Sequence, residues 1–85
     1  MKLLFTKHFV RCYRQLPQRI QKAADKQLEL LLSNPKHPAL QVKKMKDPRD
    51  IWEARVTESY RFTFHIQGET YVLRRIGTHD IPSQP

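Results

Sequence analysis

The sequence has very little cysteine and no long hydrophobic run. Its single cysteine, Cys12, lies within an apolar helical pattern, so the chain can form neither an internal disulfide nor a cysteine-based metal site. No stretch approaches the roughly 20 apolar residues that a membrane-spanning helix needs. Near the amino terminus, Lys7, His8 and Arg11 interrupt the apolar residues before a segment of signal-peptide length develops. These absences predict a protein of the reducing cytoplasm that is neither secreted nor inserted into a membrane.

Acidic residues are scarce relative to basic ones. The chain has 16 lysines and arginines against 8 aspartates and glutamates, a formal net charge of +8 at pH 7. In so small a body this excess produces a positive potential over much of the surface, which favours a polyanionic partner. A basic protein without such a partner is the alternative, because net charge carries no information about fold or chemistry. The length of 85 residues suits a single domain, which we predict to span residues 1–85.

Hydrophobic periodicity predicts one strand, two helices and then a small sheet. Residues 1–5 are apolar and stop at Thr6, a good helix N-cap, so they are typical of a strand that leads into a helix over 7–15. Pro17 suits the first turn of a second helix, whose pattern ends at residues 33–35. Beyond it the apolar period shortens to about two residues, which predicts a meander of antiparallel strands. We therefore predict an α+β fold in which the amino-terminal strand and an antiparallel helical hairpin accompany a small, mainly antiparallel sheet. The helices cover one sheet face, and the opposite face, here called the polar face, is left exposed.

A predicted hairpin loop over residues 57–59 fixes the register of two strands. Arg55 then lies directly opposite Arg61, and Glu53 lies opposite Thr63, with all four on the polar face. Two directly opposed arginines destabilise a sheet by a few tenths to about 1 kcal/mol, which a bound phosphate would offset. Alternatively, Glu53 balances one arginine while solvent surrounds the other.

A second hairpin is predicted at Gly68 and Glu69, a pair typical of a two-residue type II′ turn. It would place Arg74 opposite Thr63 and within diagonal reach of Arg61. Three arginines and one glutamate would then share one surface of the sheet.

Basic residues also cluster in and around the loop that precedes Trp52. Such a run is usually a solvated edge, but here it borders the predicted arginine cluster, which favours contacts with RNA phosphates. The predicted RNA-binding residues are Arg74, Lys43, Lys44, Lys46 and Arg49. His8, His37 and His65 are scattered without the spacing of zinc ligands, so no metal site and no cofactor are predicted.

Three segments carry a resemblance to a known family: IWEARV at 51–56, YRFTF at 60–64 and IGTH at 76–79. With the helical hairpin and the basic segment between them, they resemble the RelE/ParE superfamily of toxins from type II toxin–antitoxin systems over nearly the whole chain. In the ribosome-dependent mRNA interferase branch, the arginine of the Tyr–Arg pair binds the scissile phosphate, which implies that role for Arg61. An arginine or histidine two positions beyond the glycine of the last strand is catalytic there, which implies that role for His79.

The chemistry that this resemblance implies needs few groups. A ribose 2′-OH is deprotonated, charge on the adjacent phosphate is stabilised, and the leaving 5′ oxygen is protonated. Arg61 would meet the phosphate, and His79 would serve as acid or base because imidazole titrates near neutral pH. Glu53, paired with an arginine, would orient its neighbours rather than accept a proton. The predicted catalytic residues are Arg61, His79, Arg55 and Glu53; His79 as a plain tail residue is the alternative.

The sequence departs from the family pattern at two places. RelE itself has two lysines on the strand where this chain has Trp52 and Ala54, and Arg55 is the candidate substitute. RelE also has a tyrosine beyond its last catalytic arginine, whereas residues 80–85 contain none. The leading hypothesis is a ribosome-dependent mRNA endonuclease held in check by an acidic antitoxin, with the ribosome and mRNA as its other partners. The alternative is a catalytically inert binding module or a gyrase-poisoning toxin of the ParE type, because one fold supports several functions.

Overall fold

A computed structural model describes residues 1–78 of the chain. Its helices are α1 (Lys7–Arg14) and α2 (Gln18–Ser33), and a short 3-10 turn follows at Pro38–Leu40. Within these residues the strands are β1 (Lys2–Phe5), β2 (Lys43–Lys44), β3 (Trp52–Arg55), β4 (Tyr60–Gln67) and β5 (Thr70–Thr78). They form one sheet in the order β1-β5-β4-β3-β2, in which β1 is parallel to β5 and the other pairs are antiparallel. The predicted α+β arrangement is confirmed.

The start of α1 follows from the capping chemistry of Thr6. Its hydroxyl oxygen accepts a hydrogen bond from the Phe9 N–H at 3.2 Å and donates to the Leu73 carbonyl at 2.8 Å. One side chain therefore caps the helix and ties it to the last strand. Pro17 lies immediately before α2 rather than inside its first turn, as the N-cap residue with φ −54°. The missing N–H of a proline removes no helical hydrogen bond at this place.

The hydrophobic core lies between the two helices and one face of the sheet. Its helical side consists of Phe9, Ile20, Ala24, Leu28 and Leu31, and its sheet side consists of Ala54, Val56, Phe62, Phe64, Tyr71, Leu73 and Ile76. The buried side chain of Gln27 is the polar exception on α2. Its Nε2 donates to the Ala39 carbonyl at 3.1 Å and to the Arg55 carbonyl at 2.9 Å, which joins the helix to β3 and to the 3-10 turn.

Strand β2 is shorter than predicted. The pattern of Leu40, Val42 and Met45 predicts a short, irregular strand, whereas Leu40 belongs to the 3-10 turn and only Lys43 and Lys44 are paired as a strand. The physical reason is Gln41, whose left-handed backbone (φ 46°) breaks the extended conformation. Within residues 1–78, neither helix has the length and apolar composition that crossing a membrane requires.

Candidate nucleic-acid interface

The hairpin between β3 and β4 has the predicted register. Trp52 pairs with Phe64, Glu53 with Thr63, Ala54 with Phe62, and Arg55 with Arg61. The loop closes through the N–H groups of Val56 and Thr57, which both donate to the Tyr60 carbonyl at 3.0 and 3.2 Å. The directly opposed arginines are therefore a feature of the folded protein.

The hairpin between β4 and β5 matches its prediction at the turn but not along the strands. Gln67 pairs with Thr70 across a two-residue turn. Gly68 has a φ of 61° while Glu69 is not among the residues with positive φ, which is the type II′ pattern. Further along, Thr63 pairs with Arg75, and the predicted pairing of Thr63 with Arg74 is wrong.

A β-bulge at Arg74 causes this difference. Phe64 pairs with Leu73 and Thr63 with Arg75, so Arg74 is an extra residue on β5. Leu73 and Ile76 both lie in the core. Arg74 contacts His65 on the polar face, which is the face away from the core. Arg75 lies opposite Thr63 and is on the polar face as well. Two consecutive arginines therefore lie on the polar face, where strict alternation would allow one.

The polar face consists of four rows of side chains across the strands. The first row is Arg55, Arg61 and Gly77; the second is Lys43, Glu53, Thr63 and Arg75; the third is His65, Val72 and Leu4; the fourth is Gln67, Thr70 and Lys2. The middle of this face is not exposed as predicted. Glu53 and Thr63 are buried, with 5% and 0% exposure, while the arginines around them are half-buried. Short side chains in a row flanked by long cationic ones are shielded from solvent by those neighbours.

Arg61 is held in place by its own hairpin loop. Its Nη1 donates to the main-chain oxygens of Thr57, Glu58 and Tyr60 at 2.5, 3.1 and 2.9 Å. Its Nε lies 3.9 Å from Oε1 of Glu53. Only 22% of the Arg61 side chain is exposed, so the guanidinium is fixed rather than freely solvated.

The buried carboxylate of Glu53 links two cations. Its Oε1 lies 3.5 Å from Nζ of Lys43 in addition to its approach to Arg61. The sequence predicts an orienting role for Glu53, and the structure gives this residue the contacts that such a role needs. Arg55 forms no ion pair or side-chain hydrogen bond within residues 1–78.

His65 and Arg74 form a second polar contact on this face. Arg74 Nη1 lies 3.1 Å from Nδ1 of His65. A guanidinium can only donate, so Nδ1 accepts and the imidazole is neutral with its proton on Nε2. Burial and the charge of Arg74 lower the pKa of His65. Burial and the charge of Arg49 lower the pKa of Arg74, with a smaller contribution from Arg75, whereas the nearby Asp47 carboxylate opposes this shift.

The loop between β2 and β3 carries most of the predicted RNA-binding residues, and several are ion-paired. Arg49 binds Asp47 through two hydrogen bonds, Nε to Oδ1 at 2.9 Å and Nη2 to Oδ2 at 2.8 Å. These bonds, with one from the Arg49 N–H, lower the pKa of Asp47 to about 2. Lys44 Nζ lies 2.8 Å from Asp50. Lys46 is exposed and forms no ion pair within the described part of the chain.

The structure thus brings Arg55, Arg61, Glu53 and Lys43 together and places Arg74 beside His65. His79 lies outside the described residues. Sequence reasoning missed two members of the polar face, His65 and Arg75. The alternation of β4 already places His65 on the side of Arg61, whereas Arg75 reaches this side only because of the bulge. Among residues 1–78, no group of three or more His, Cys, Asp or Glu side chains could hold a metal ion.

No protein-family model and no curated protein sequence matches this chain. Solved structures do match it. A YoeB/ParE toxin from Agrobacterium tumefaciens is 17% identical with a TM-score of 0.77, and the match covers 93% of this chain and 99% of that one. A chain of the RelB–RelE antitoxin–toxin complex from Methanococcus jannaschii is 24% identical with a TM-score of 0.76, covering 96% and 99%. A chain of the toxin–antitoxin complex RelBE2 from Mycobacterium tuberculosis is 25% identical with a TM-score of 0.73, covering 92% and 96%. The five-stranded sheet with its helical hairpin is therefore the fold of the RelE/ParE superfamily of toxins.

Proposed function

We propose that this chain is the toxin of a toxin–antitoxin pair and that it cleaves messenger RNA on the ribosome. The reaction would be attack of a ribose 2′-OH on the adjacent phosphate. The observation that carries this proposal is the fixed guanidinium of Arg61 on a sheet face of a RelE/ParE fold, directly opposite Arg55, which forms no ion pair within residues 1–78. The printed names of the structural neighbours, which include antitoxin–toxin complexes, support a toxin role and an antitoxin partner.

Arg61 is suited to stabilise charge on a phosphate during cleavage. Donors that are already oriented need no reorganisation when negative charge develops in the transition state. The loop carbonyls engage Nη1 and Glu53 lies beside Nε, while no hydrogen bond within residues 1–78 uses Nη2. Nη2 is therefore the part of the guanidinium that would face a phosphate oxygen.

The other residues of this cluster would act around Arg61. Glu53 and Lys43 would keep the Arg61 side chain in position through the shared carboxylate oxygen. Arg55 would contribute a second positive charge, because it lies directly opposite Arg61. A phosphate bound between the two arginines would relieve their mutual repulsion. We assign proton transfer to His79 on the family resemblance of the IGTH segment.

The excess of positive charge supports the proposed partners. The net charge of +8 would favour both RNA and an acidic antitoxin that covers the same surface. An activity on ribosomes would place the protein in the cytoplasm.

One observation favours a second candidate, a toxin of the same fold that binds without cleaving. On the described polar face, the imidazole of His65 accepts from Arg74 and the carboxylate of Glu53 is held by two cations. This face offers anion binding but no proton-transfer group that is not already engaged. A gyrase-poisoning toxin or an inert module would need nothing more.

Primer extension on transcripts after inducible expression separates the two candidates. The proposal predicts new 5′ ends that are phased with codons and that require translation of the transcript. The matched control is Arg19→Gln, which removes one exposed arginine from α2 on the other side of the molecule. Growth arrest without new 5′ ends would overturn the cleavage proposal in favour of the second candidate.

A further inference from the structure

The bulge in β5 creates a second cationic cluster on the polar face. Arg74 and Arg75 both lie on this face because Arg74 is the extra residue of the bulge. Bulges next to functional sites commonly redirect a side chain in this way. Arg75 forms no ion pair or hydrogen bond within residues 1–78 through its side chain.

His65 completes this cluster as a hydrogen-bond donor. Its Nδ1 accepts from Arg74, so the remaining ring proton is on Nε2. The imidazole cannot take up a proton at Nε2 in this arrangement, but it can donate from that atom. Arg74 therefore orients a neutral donor beside the positive charge of Arg75.

The local charge is suited to an anion. Burial and the charges of Arg49 and Arg75 lower the pKa of Arg74. Asp47 is the acidic group that opposes this effect, and its carboxylate already binds Arg49 through two hydrogen bonds. An additional anion would reduce the remaining repulsion.

We propose that Arg75, Arg74 and His65 form a second phosphate-binding subsite, which holds a different phosphate of the RNA strand whose cleavage Arg61 promotes. This inference rests on the proposed function. Arg61 and His65 are four residues apart on β4, about 13 Å at roughly 3.3 Å per residue. The Arg61 guanidinium is bound to the 57–60 loop at the opposite end of the strand from His65. Arg75 lies opposite Thr63, between these two residues. The distance therefore applies to the His65 end of the cluster, where a phosphate that accepts from His65 Nε2 is a different one from the phosphate at Arg61.

The role of such a subsite would be positional. Phosphate contacts fix the register and orientation of a nucleic acid without reading its sequence. A strand held at Arg75 would present its next phosphates to Arg61 in a fixed orientation.

The test is a salt titration of binding to a fluorescein-labelled single-stranded RNA oligonucleotide, followed by anisotropy. Each neutralised phosphate contributes about 0.7 to the slope of log K against log salt. Arg75→Gln should therefore reduce the slope by about 0.7, and Arg75→Lys should retain it because the charge remains. Arg19→Gln removes the same charge from α2 and should leave the slope unchanged. His65→Leu should weaken binding at constant salt without changing the slope, because it removes a neutral donor.

The double variant Arg61→Gln/Arg75→Gln tests whether the two subsites are separate. Separate subsites predict a slope reduction equal to the sum of the two single reductions. A double variant no different from Arg61→Gln would overturn the second subsite. An Arg75→Gln variant with the parental slope would also overturn the second subsite. This holds even if the substitution weakens binding to an acidic antitoxin. These outcomes leave the proposed function standing, because that function is judged by transcript cleavage through Arg61.

Discussion

The substitution Gln27→Leu should destabilise the protein by removing the tether between α2 and β3. Gln27 is buried, and its Nε2 donates to the carbonyls of Ala39 and Arg55 at 3.1 and 2.9 Å. Leucine retains most of the volume but provides no donor. Each of the two hydrogen bonds contributes about 1 kcal/mol net, and a buried acceptor left without a partner costs more. We expect the free energy of unfolding to fall by about 2 to 3 kcal/mol.

The matched control for this prediction is Gln21→Leu on the same helix. Gln21 also donates through Nε2 to a carbonyl, that of Tyr13 at 2.9 Å, but its side chain is half-exposed. Water can replace this bond, so we expect a loss of less than about 1 kcal/mol. Urea unfolding followed by circular dichroism measures both values. In a domain of this size, each kcal/mol also lowers Tm by about 4 to 8 °C. Equal losses in the two variants would refute the reasoning, because the buried pair of hydrogen bonds would then carry no special weight.

Three further predictions concern the indole of Trp52, the clamp between Asp47 and Arg49, and the imidazole of His65. Trp52→Ala should lower the free energy of unfolding by about 1.5 to 3 kcal/mol. This is less than the loss for a fully buried tryptophan, because the indole packs against the core but is half-exposed. A loss of about 5 kcal/mol in urea unfolding would contradict this placement. Asp47→Asn should release Arg49 to contact RNA. The slope of log K against log salt for RNA binding should then become steeper by about 0.7. An unchanged or shallower slope, measured by anisotropy, would show that Arg49 contacts no RNA. The folded state lowers the pKa of His65, so the unfolded chain binds the proton more tightly and stability should fall as pH drops below about 6.5. His65→Gln should reduce this fall in urea unfolding at several pH values, whereas His8→Gln on the exposed side of α1 should keep it; equal pH profiles for parent and His65→Gln would contradict the contact with Arg74.

The arginine pair of the polar face could be predicted from the sequence because short-range rules determine it. A loop at residues 57–59 fixes the register of β3 and β4, and side chains alternate with period two. These two rules place Arg55 opposite Arg61 and both on the side away from the helices, as the structure shows. Glu53 follows from the same alternation. What alternation does not reveal is its burial, which depends on the long side chains of Lys43 and Arg61 converging on its carboxylate.

The position of Arg74 could not be predicted by strict alternation, because a bulge adds one residue to β5. The sequence does contain a signal for it. Leu73 and Ile76 are both apolar and both buried, but they are three residues apart, which a regular strand cannot place on one face. An extra residue between them restores the pattern. The start of β2 lies later than predicted for a related reason, since the left-handed backbone at Gln41 has no signature in hydrophobic periodicity.

Cleavage of mRNA by the Arg61 variants on translating ribosomes tests the central claim most directly. The loop carbonyls of Thr57 and Tyr60 bind Arg61, so Arg61→Gln is compared with Arg61→Lys, and folding of both is checked by circular dichroism. Removing one oriented donor of a charge-stabilising site costs about 100- to 1,000-fold in rate. The account predicts that the parent and Arg19→Gln produce codon-phased cuts, while Arg61→Gln binds ribosomes and cuts at least about 100-fold more slowly. Arg61→Lys should fall between them, because it keeps the charge without the planar fork. A folded Arg61→Gln variant that cuts at the parental rate, or a parent that produces no cuts, would contradict the account.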